Sequence, residues 1–252
     1  MRLHYRQLGQ GEPLVLLHGL FGSADNWFSV APQLAERFHV IAVDLRNHGQ
    51  SPHDAAMDYP LMAADVDELF AACGLTSASV IGHSMGGKVA IELALDFPLR
   101  VKKLVVVDIA PRAYSRTHDN ILDALLALDL ATFNSRQEIE HALAAEIPSL
   151  NLRRFLLKSV GRDDNGRFLW KMNLQGIAAN YGRLCEAVGE GRHFAGPTLS
   201  IRGGKSDYVI PADEAEIRRQ FPAAAIETIP AAGHWVQADA PEEFARVVLE
   251  FL

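Results

Sequence analysis

A chain of 252 residues with 49% hydrophobic and 22% charged side chains has the composition of a globular α/β protein, able to bury a large core without disulfides or metals. A net charge of −7 leaves no basic face for a nucleic-acid backbone, and no apolar run is long enough to span a bilayer. The two cysteines, Cys73 and Cys185, lie far apart and outside any C-x-x-C pair, so they read as core thiols of a reducing compartment; with no signal-peptide pattern at residues 1–6, the expected location is the cytoplasm.

Residues 2–8 alternate as an edge strand would, and residues 9–13 make a turn. Leu14 to Leu17 is a continuous apolar run suited to the buried centre of a parallel sheet, and it ends at His18-Gly19-Leu20-Phe21-Gly22-Ser23. A helical stretch near Val30 to Phe38 leads to a second buried strand, His39 to Val43, and to a long loop, Asp44 to Pro52. A helix over Tyr59 to Cys73 precedes the strand Ala78 to Ile81, the turn Gly82-His83-Ser84-Met85-Gly86, and a helix over Lys88 to Asp96. The strand Lys103 to Val107 is closed by Asp108-Ile109-Ala110-Pro111. Strands alternating with helices predict a mostly parallel sheet covered on both faces, with ligands at the carboxyl ends of the strands.

The alternation then stops. Residues 112–190 carry helical faces (Ile121-Leu122-Leu125-Leu126-Leu128, then Ile139-Leu143-Ile147, then Leu152-Phe155-Leu156) and no convincing strand. Turn chemistry stands at Asp163-Asp164-Asn165-Gly166. This block reads as a helical cap inserted into a core formed by residues 1–111 and 191–252. The sheet resumes at Thr198 to Arg202, and a helix follows Pro211. A last strand, Ala225 to Ile229, leads to the loop Pro230 to Trp235 and to an amphipathic helix, Ala240 to Leu252.

The segment Gly82-His83-Ser84-Met85-Gly86 is a G-x-S-x-G pattern between a strand and a helix. That context lifts a serine hydroxyl clear of the sheet, aims a helix N-terminus at the reacting carbonyl, and offers the backbone N–H of Met85 as an oxyanion donor. The plainer alternative is a glycine-rich turn with an incidental serine. The base should be a late histidine on a loop after the last strand. Of ten histidines, His234 in Ala232-Gly233-His234-Trp235 is the one so placed, although a loop histidine can also simply cap a helix. Two aspartates end strands where the acid could stand, Asp108 and Asp207, and sequence geometry does not choose between them. A second oxyanion donor should come from the loop after His18-Gly19, with Leu20 first and Phe21 second. His18 reads as a loop brace, and Lys88 as a helix-surface or loop-bracing residue.

Other chemistries find little support. Gly204-Lys205-Ser206 lacks the preceding glycine of a phosphate-binding loop, because Leu199 stands there. No G-x-G-x-x-G follows the first strand, and no H-E-x-x-H or cysteine–histidine cluster points to a metal, so neither a cofactor nor a metal is expected.

Taken together, His18 to Ser23, the Asp44-to-Pro52 loop with Arg46-Asn47-His48-Gly49, Gly82 to Lys88, Val107 to Pro111, and Ala232 to Trp235 resemble the α/β-hydrolase superfamily. Within it they are similar to the YbfF-type esterases and to alpha/beta-hydrolase domain-containing protein 11. The resemblance implies the α/β-hydrolase fold, carboxylesterase activity on small-molecule acyl esters, with acyl-CoA thioesters as a further substrate class, and a small helical cap. It also implies Asp108 as the triad acid. Asp207 stands where the wider superfamily keeps its acid, so this chain carries both. The alternatives are another hydrolase chemistry on this fold (lactonase, C–C hydrolase or perhydrolase) and a non-catalytic ligand-binding protein. The sequence carries no signal for an oligomeric state.

Overall fold

A computed structural model describes all residues, 1–252. Seven strands form one sheet: β1 (Tyr5–Leu8), β2 (Glu12–Leu17), β3 (Phe38–Val43), β4 (Ala78–His83), β5 (Val101–Val107), and, after a two-strand hairpin of β6 (Val160–Arg162) and β7 (Phe168–Trp170), β8 (Thr198–Gly203) and β9 (Ala224–Ile229). Their spatial order is β1-β3-β2-β4-β5-β8-β9. All neighbours run parallel except β1, which pairs antiparallel with β3 at the edge.

The continuous apolar runs follow from burial on both faces. Val15 and Leu17 of β2, Val80 of β4 and Leu104 and Val106 of β5 share one apolar layer with Met62, Val66 and Val89. The alternate residues Leu14, Leu16, Ile81, Val105 and Val107 share the opposite layer with Trp27, Leu34, Phe244 and Val248. On the first side lie α2 (Tyr59–Ala72) and α3 (Met85–Asp96). The short α1 (Ala31–Leu34) and the last helix, Pro241–Phe251, lie on the second. Asp58 caps α2, accepting from the Leu61 N–H at 3.0 Å, with Pro60 in the first turn.

After β2 the chain crosses to β3 on one side and later returns to β4 on the other. The carboxyl ends of β2 and β4 therefore flank the crevice where a sheet of this kind takes its ligand.

Between β5 and β8 the chain forms α4 (Asp119–Leu126), α5 (Arg136–Leu143), α6 (Leu150–Leu157), the β6–β7 hairpin and α7 (Leu174–Cys185). Side-chain and backbone hydrogen bonds tie this block to the loops of the sheet. Ser159 Oγ donates to the Phe21 carbonyl at 2.7 Å, the Asn173 N–H to the Asn47 carbonyl at 2.9 Å, and Asn180 Nδ2 to the Ala55 carbonyl at 2.7 Å. The remaining helices are α8 (Glu214–Gln220), α9 (Val236–Asp239) and α10 (Pro241–Phe251).

Two elements differ from the sequence reading. The block at residues 112–190 contains a hairpin as well as helices; its strands have three residues each, too short to show alternation, and the legible signal was the turn at Asp163–Gly166. The helix expected from Val30 to Phe38 is a single turn ending at Leu34, because Phe38 already opens β3.

Candidate active site

Ser84 is the one residue between the end of β4 and the start of α3. Its φ of 53° and ψ of −120° lie in a region that L residues rarely occupy, which marks a strained elbow. The turn closes only because its neighbours are glycines. A Cβ on Gly82 would lie 2.1 Å from the Gly86 carbonyl oxygen, and one on Gly86 2.4 Å from the Leu17 carbonyl oxygen. The elbow thus sits against the end of β2.

The Ser84 hydroxyl donates to His234 Nε2 at 3.0 Å. His234 Nδ1–H donates to Asp108 Oδ2 at 2.7 Å. Asp108 follows β5 with φ 50°, is fully buried, and accepts twice more: the Gly203 N–H at 2.9 Å on Oδ1, and the Ser206 hydroxyl on Oδ2. The first donor comes from the end of β8 and the second from the loop after it, so neighbouring strands fix the carboxylate on both oxygens. Asp207 does not join this chain. It is exposed at the rim of the cleft and makes no hydrogen bond to His234.

Three groups that the sequence reading did not single out hold His234 in place, directly or through Asp108. His83 Nε2–H donates to the His234 carbonyl at 2.8 Å, with the two rings 4.8 Å apart. Burial holds the His83 imidazole neutral, lowering its pKa to about 3. Tyr208 stacks on the His234 ring at 3.7 Å between centroids and 19° between planes. Ser206 holds the Asp108 oxygen that faces His234. His83 is visible in the sequence as the residue before the serine, but its partner is a backbone carbonyl 151 positions away.

On the opposite side of Ser84 stands the loop after β2. The Leu20 N–H has no acceptor within the protein, and Met85 opens α3, where the first N–H groups have no intrahelical partner. The Phe21 N–H is engaged, donating to His48 Nε2 at 3.2 Å. Phe21, the second choice after Leu20 for the loop's donor, thus has its N–H already taken by His48.

His18 braces this loop from beneath. Its Nδ1–H donates to the Gly19 carbonyl at 2.8 Å, and its Nε2 accepts from the Leu45 N–H at 3.0 Å. His48 donates Nδ1–H to the Arg46 carbonyl at 2.9 Å, and burial lowers its pKa to about 3. Asp44 completes the brace, accepting from the Ala24 N–H at 2.7 Å and the Gln50 N–H at 3.0 Å.

Above Ser84 and His234 opens a cleft of about 340 Å³. One wall comes from the sheet loops (Leu20, Met85, Tyr208), the other from the inserted block (Leu152, Phe155, Tyr181). Lys88 lines it as well. It is buried rather than on a helix surface, because Tyr59 and Tyr114 cover it, with its ammonium 5.5 and 4.9 Å from their ring centroids.

A strained serine after a parallel strand, a histidine and a buried aspartate in one hydrogen-bond chain, and two backbone N–H groups beside the serine define the site of an α/β hydrolase. Residues 12–241 match the family described as alpha/beta hydrolase fold, and the chain belongs to that family. Among its relatives, the mouse (Mus musculus) sn-1-specific diacylglycerol lipase ABHD11 is 39% identical over 249 residues, spanning 95% of this chain and 80% of that protein. Esterase YbfF of Escherichia coli (strain K12) is 37% identical over 243 residues, spanning 95% of this chain and 92% of that protein. The solved structure titled "Marine microorganism esterase" superposes with a TM-score of 0.97 at 42% identity, covering 100% of this chain and 99% of its own.

Proposed function

We propose that this protein is a serine carboxylesterase that cleaves small-molecule acyl esters through an acyl-enzyme on Ser84. The observation that carries this reading is the continuous chain from Ser84 Oγ to His234 Nε2 at 3.0 Å and from His234 Nδ1 to Asp108 Oδ2 at 2.7 Å, at the base of a cleft of ligand size. The esterase and lipase names of the relatives support it.

Each step uses a group already in position. His234 Nε2 takes the Ser84 proton as Oγ attacks the ester carbonyl carbon. The negative oxygen of the tetrahedral intermediate is held by the N–H groups of Leu20 and Met85, at the positive end of α3. Collapse of the intermediate breaks the bond to the alcohol oxygen, which leaves with the proton from His234. Water then gives a proton to His234 and attacks the acyl carbon, and as the bond to Ser84 Oγ breaks, His234 returns that proton to Oγ and the carboxylic acid departs. Asp108 fixes the Nδ1–H tautomer of His234 and balances the imidazolium charge of both half-reactions. The inserted block over the cleft acts as a cap whose residues shape the acyl and alcohol subsites. The two free cysteines support a reducing, cytoplasmic setting.

The test is hydrolysis of p-nitrophenyl acetate through palmitate, with acyl-CoA thioesters alongside, by wild type and Ser84→Ala. Activity should fall by about three to six orders of magnitude in the variant. Ser84→Ala retaining most of the wild-type rate would refute the reading.

A further inference from the structure

The protein has two buried cationic side chains, Arg46 and Lys88. Arg46 is neutralised by the Asp65 carboxylate, to which it donates at 2.6 Å from Nε and 2.9 Å from a terminal nitrogen. Lys88 has no carboxylate. Its one hydrogen bond goes to the Glu186 backbone carbonyl, which leaves two of its three N–H donors without a protein acceptor. The residue one helical turn on, Glu92, would be its natural partner, but that carboxylate is turned away to Arg192. Of the other charged residues lining the cleft, Arg112 donates to Asp213 at 2.8 Å, and Asp207 is exposed at the rim and forms no ion pair with Lys88.

An unneutralised buried ammonium is costly, and this one sits in the first turns of α3, where the helix dipole adds a second unfavourable contribution. Both costs fall if an anion occupies the adjoining space, and that space is the cleft, which Lys88 lines together with Tyr59, Tyr114, Leu184 and Cys185. We propose that Lys88 is the anion-recognition residue of this cleft, and that the substrates it favours are esters whose acyl chain ends in a carboxylate, the half-esters of short dicarboxylic acids. Lys88 is four residues after Ser84, a rise of about 6 Å along the helix, and its side chain leans back toward the N-terminus. An acyl chain of about four to six carbons spans that separation. The cation–π contacts with Tyr59 and Tyr114 hold the ammonium beside the cleft.

The inference rests on the esterase reading for the reaction, but the anion site can be tested apart from it. The probes are monobenzyl glutarate and its uncharged isostere benzyl 5-methylhexanoate, with benzyl alcohol release measured for wild type and Lys88→Met. Lys88→Met should lower kcat/KM for the glutarate half-ester at least tenfold relative to the isostere. Equal losses on both esters would make Lys88 a structural brace and overturn the proposal. Binding is read without turnover by calorimetry on Ser84→Ala with and without Lys88→Met. The half-ester should bind at least tenfold more tightly when Lys88 is present, and equal affinities would overturn the proposal. If neither ester is turned over while binding still depends on Lys88, the esterase reading fails and the anion site stands.

Should Lys88→Met not fold, wild type alone decides. Burial lowers the Lys88 pKa to about 8, so the ammonium is charged below that pH and neutral above it. Facing it are Tyr59 of α2, Arg112 and Tyr114 after β5, and Cys185 and Glu186 at the end of α7. The ratio of half-ester to isostere kcat/KM should fall as pH rises from 7 to 9.5, and a ratio independent of pH would contradict the assignment.

Discussion

Replacing Asp108 with asparagine exchanges a single oxygen for an NH2 group in a fully buried position, and the surrounding donors make either orientation of the amide costly. With the amide oxygen toward the Gly203 N–H, now 2.9 Å from Oδ1, the new NH2 faces His234 Nδ1 and the Ser206 hydroxyl. Nδ1 must then become an acceptor, the proton moves to Nε2, and His234 can no longer take the Ser84 proton. With the amide reversed, the NH2 opposes the Gly203 N–H and leaves buried donors unpaired, at about 1–3 kcal/mol each. That orientation also lacks the negative charge that balances the imidazolium. A triad held in the wrong tautomer loses about ten-thousandfold in kcat, or about 5 kcal/mol of barrier. Leakage through the reversed amide gives back part of this, so Asp108→Asn should lose at least about a thousandfold. Initial rates with p-nitrophenyl butyrate measure it, with circular dichroism and thermal melting to verify the fold. Asp207→Asn should remain close to wild type, because that carboxylate makes no hydrogen bond to His234. An Asp108→Asn rate within about tenfold of wild type, or a collapse in Asp207→Asn, would refute the reasoning.

The elbow and the buried histidines give two further predictions. In Gly86→Ala the new methyl would press on the Leu17 and His18 carbonyl oxygens, 2.4 and 2.5 Å away, and neither backbone can yield. The overpacking should cost about 3 kcal/mol, seen as a fall in Tm of roughly 6–12 °C, together with loss of esterase activity; an unchanged Tm would contradict the tight elbow. His83 and His48 titrate near 3 in the folded chain against 6.5 in the unfolded one, so below 6.5 only the unfolded state takes up their protons. Stability from these two is complete above about 6.5 and is lost as pH falls toward 3, at about 1.4 kcal/mol per pH unit for each. Urea midpoints at pH 7.5, 5.5 and 4.5 should drop in that order, and a flat series would contradict the neutral, buried state of the two rings.

Much of the fold could be read because the central strands are buried on both faces. Leu14 to Leu17 and Leu104 to Val107 had to be apolar runs, and the residues two before and two after Ser84 had to be glycines for α3 to pack against the end of β2. The acid was not legible from residue spacing. Asp108 and Asp207 both follow strands of the sheet, but Asp108 is held by donors from β8 and the loop after it, and the positive φ of Asp108 helps aim its carboxylate at His234. Asp207 lies four residues beyond the end of β8, and its side chain ends in solvent. The Phe21 N–H was offered as a donor because a backbone group has no side-chain signature, and only the bond to His48 removes it. Of the two readings of Lys88, loop-bracing fits its bond to the Glu186 carbonyl, and helix-surface does not fit its burial. Its partners Tyr114 and Glu186 lie near the two ends of the inserted block, whose packing on α3 leaves no period in the sequence.

The most direct test of the central claim is to mix the protein rapidly with excess p-nitrophenyl ester, follow p-nitrophenolate release, and quench at the end of the burst for intact-mass and peptide analysis. The account predicts a burst approaching one equivalent per chain and a single added acyl group on the peptide carrying Ser84, both absent in Ser84→Ala. Should release begin without an adduct by direct attack of water, or should the acyl group lie on another residue, Ser84 would not be the nucleophile.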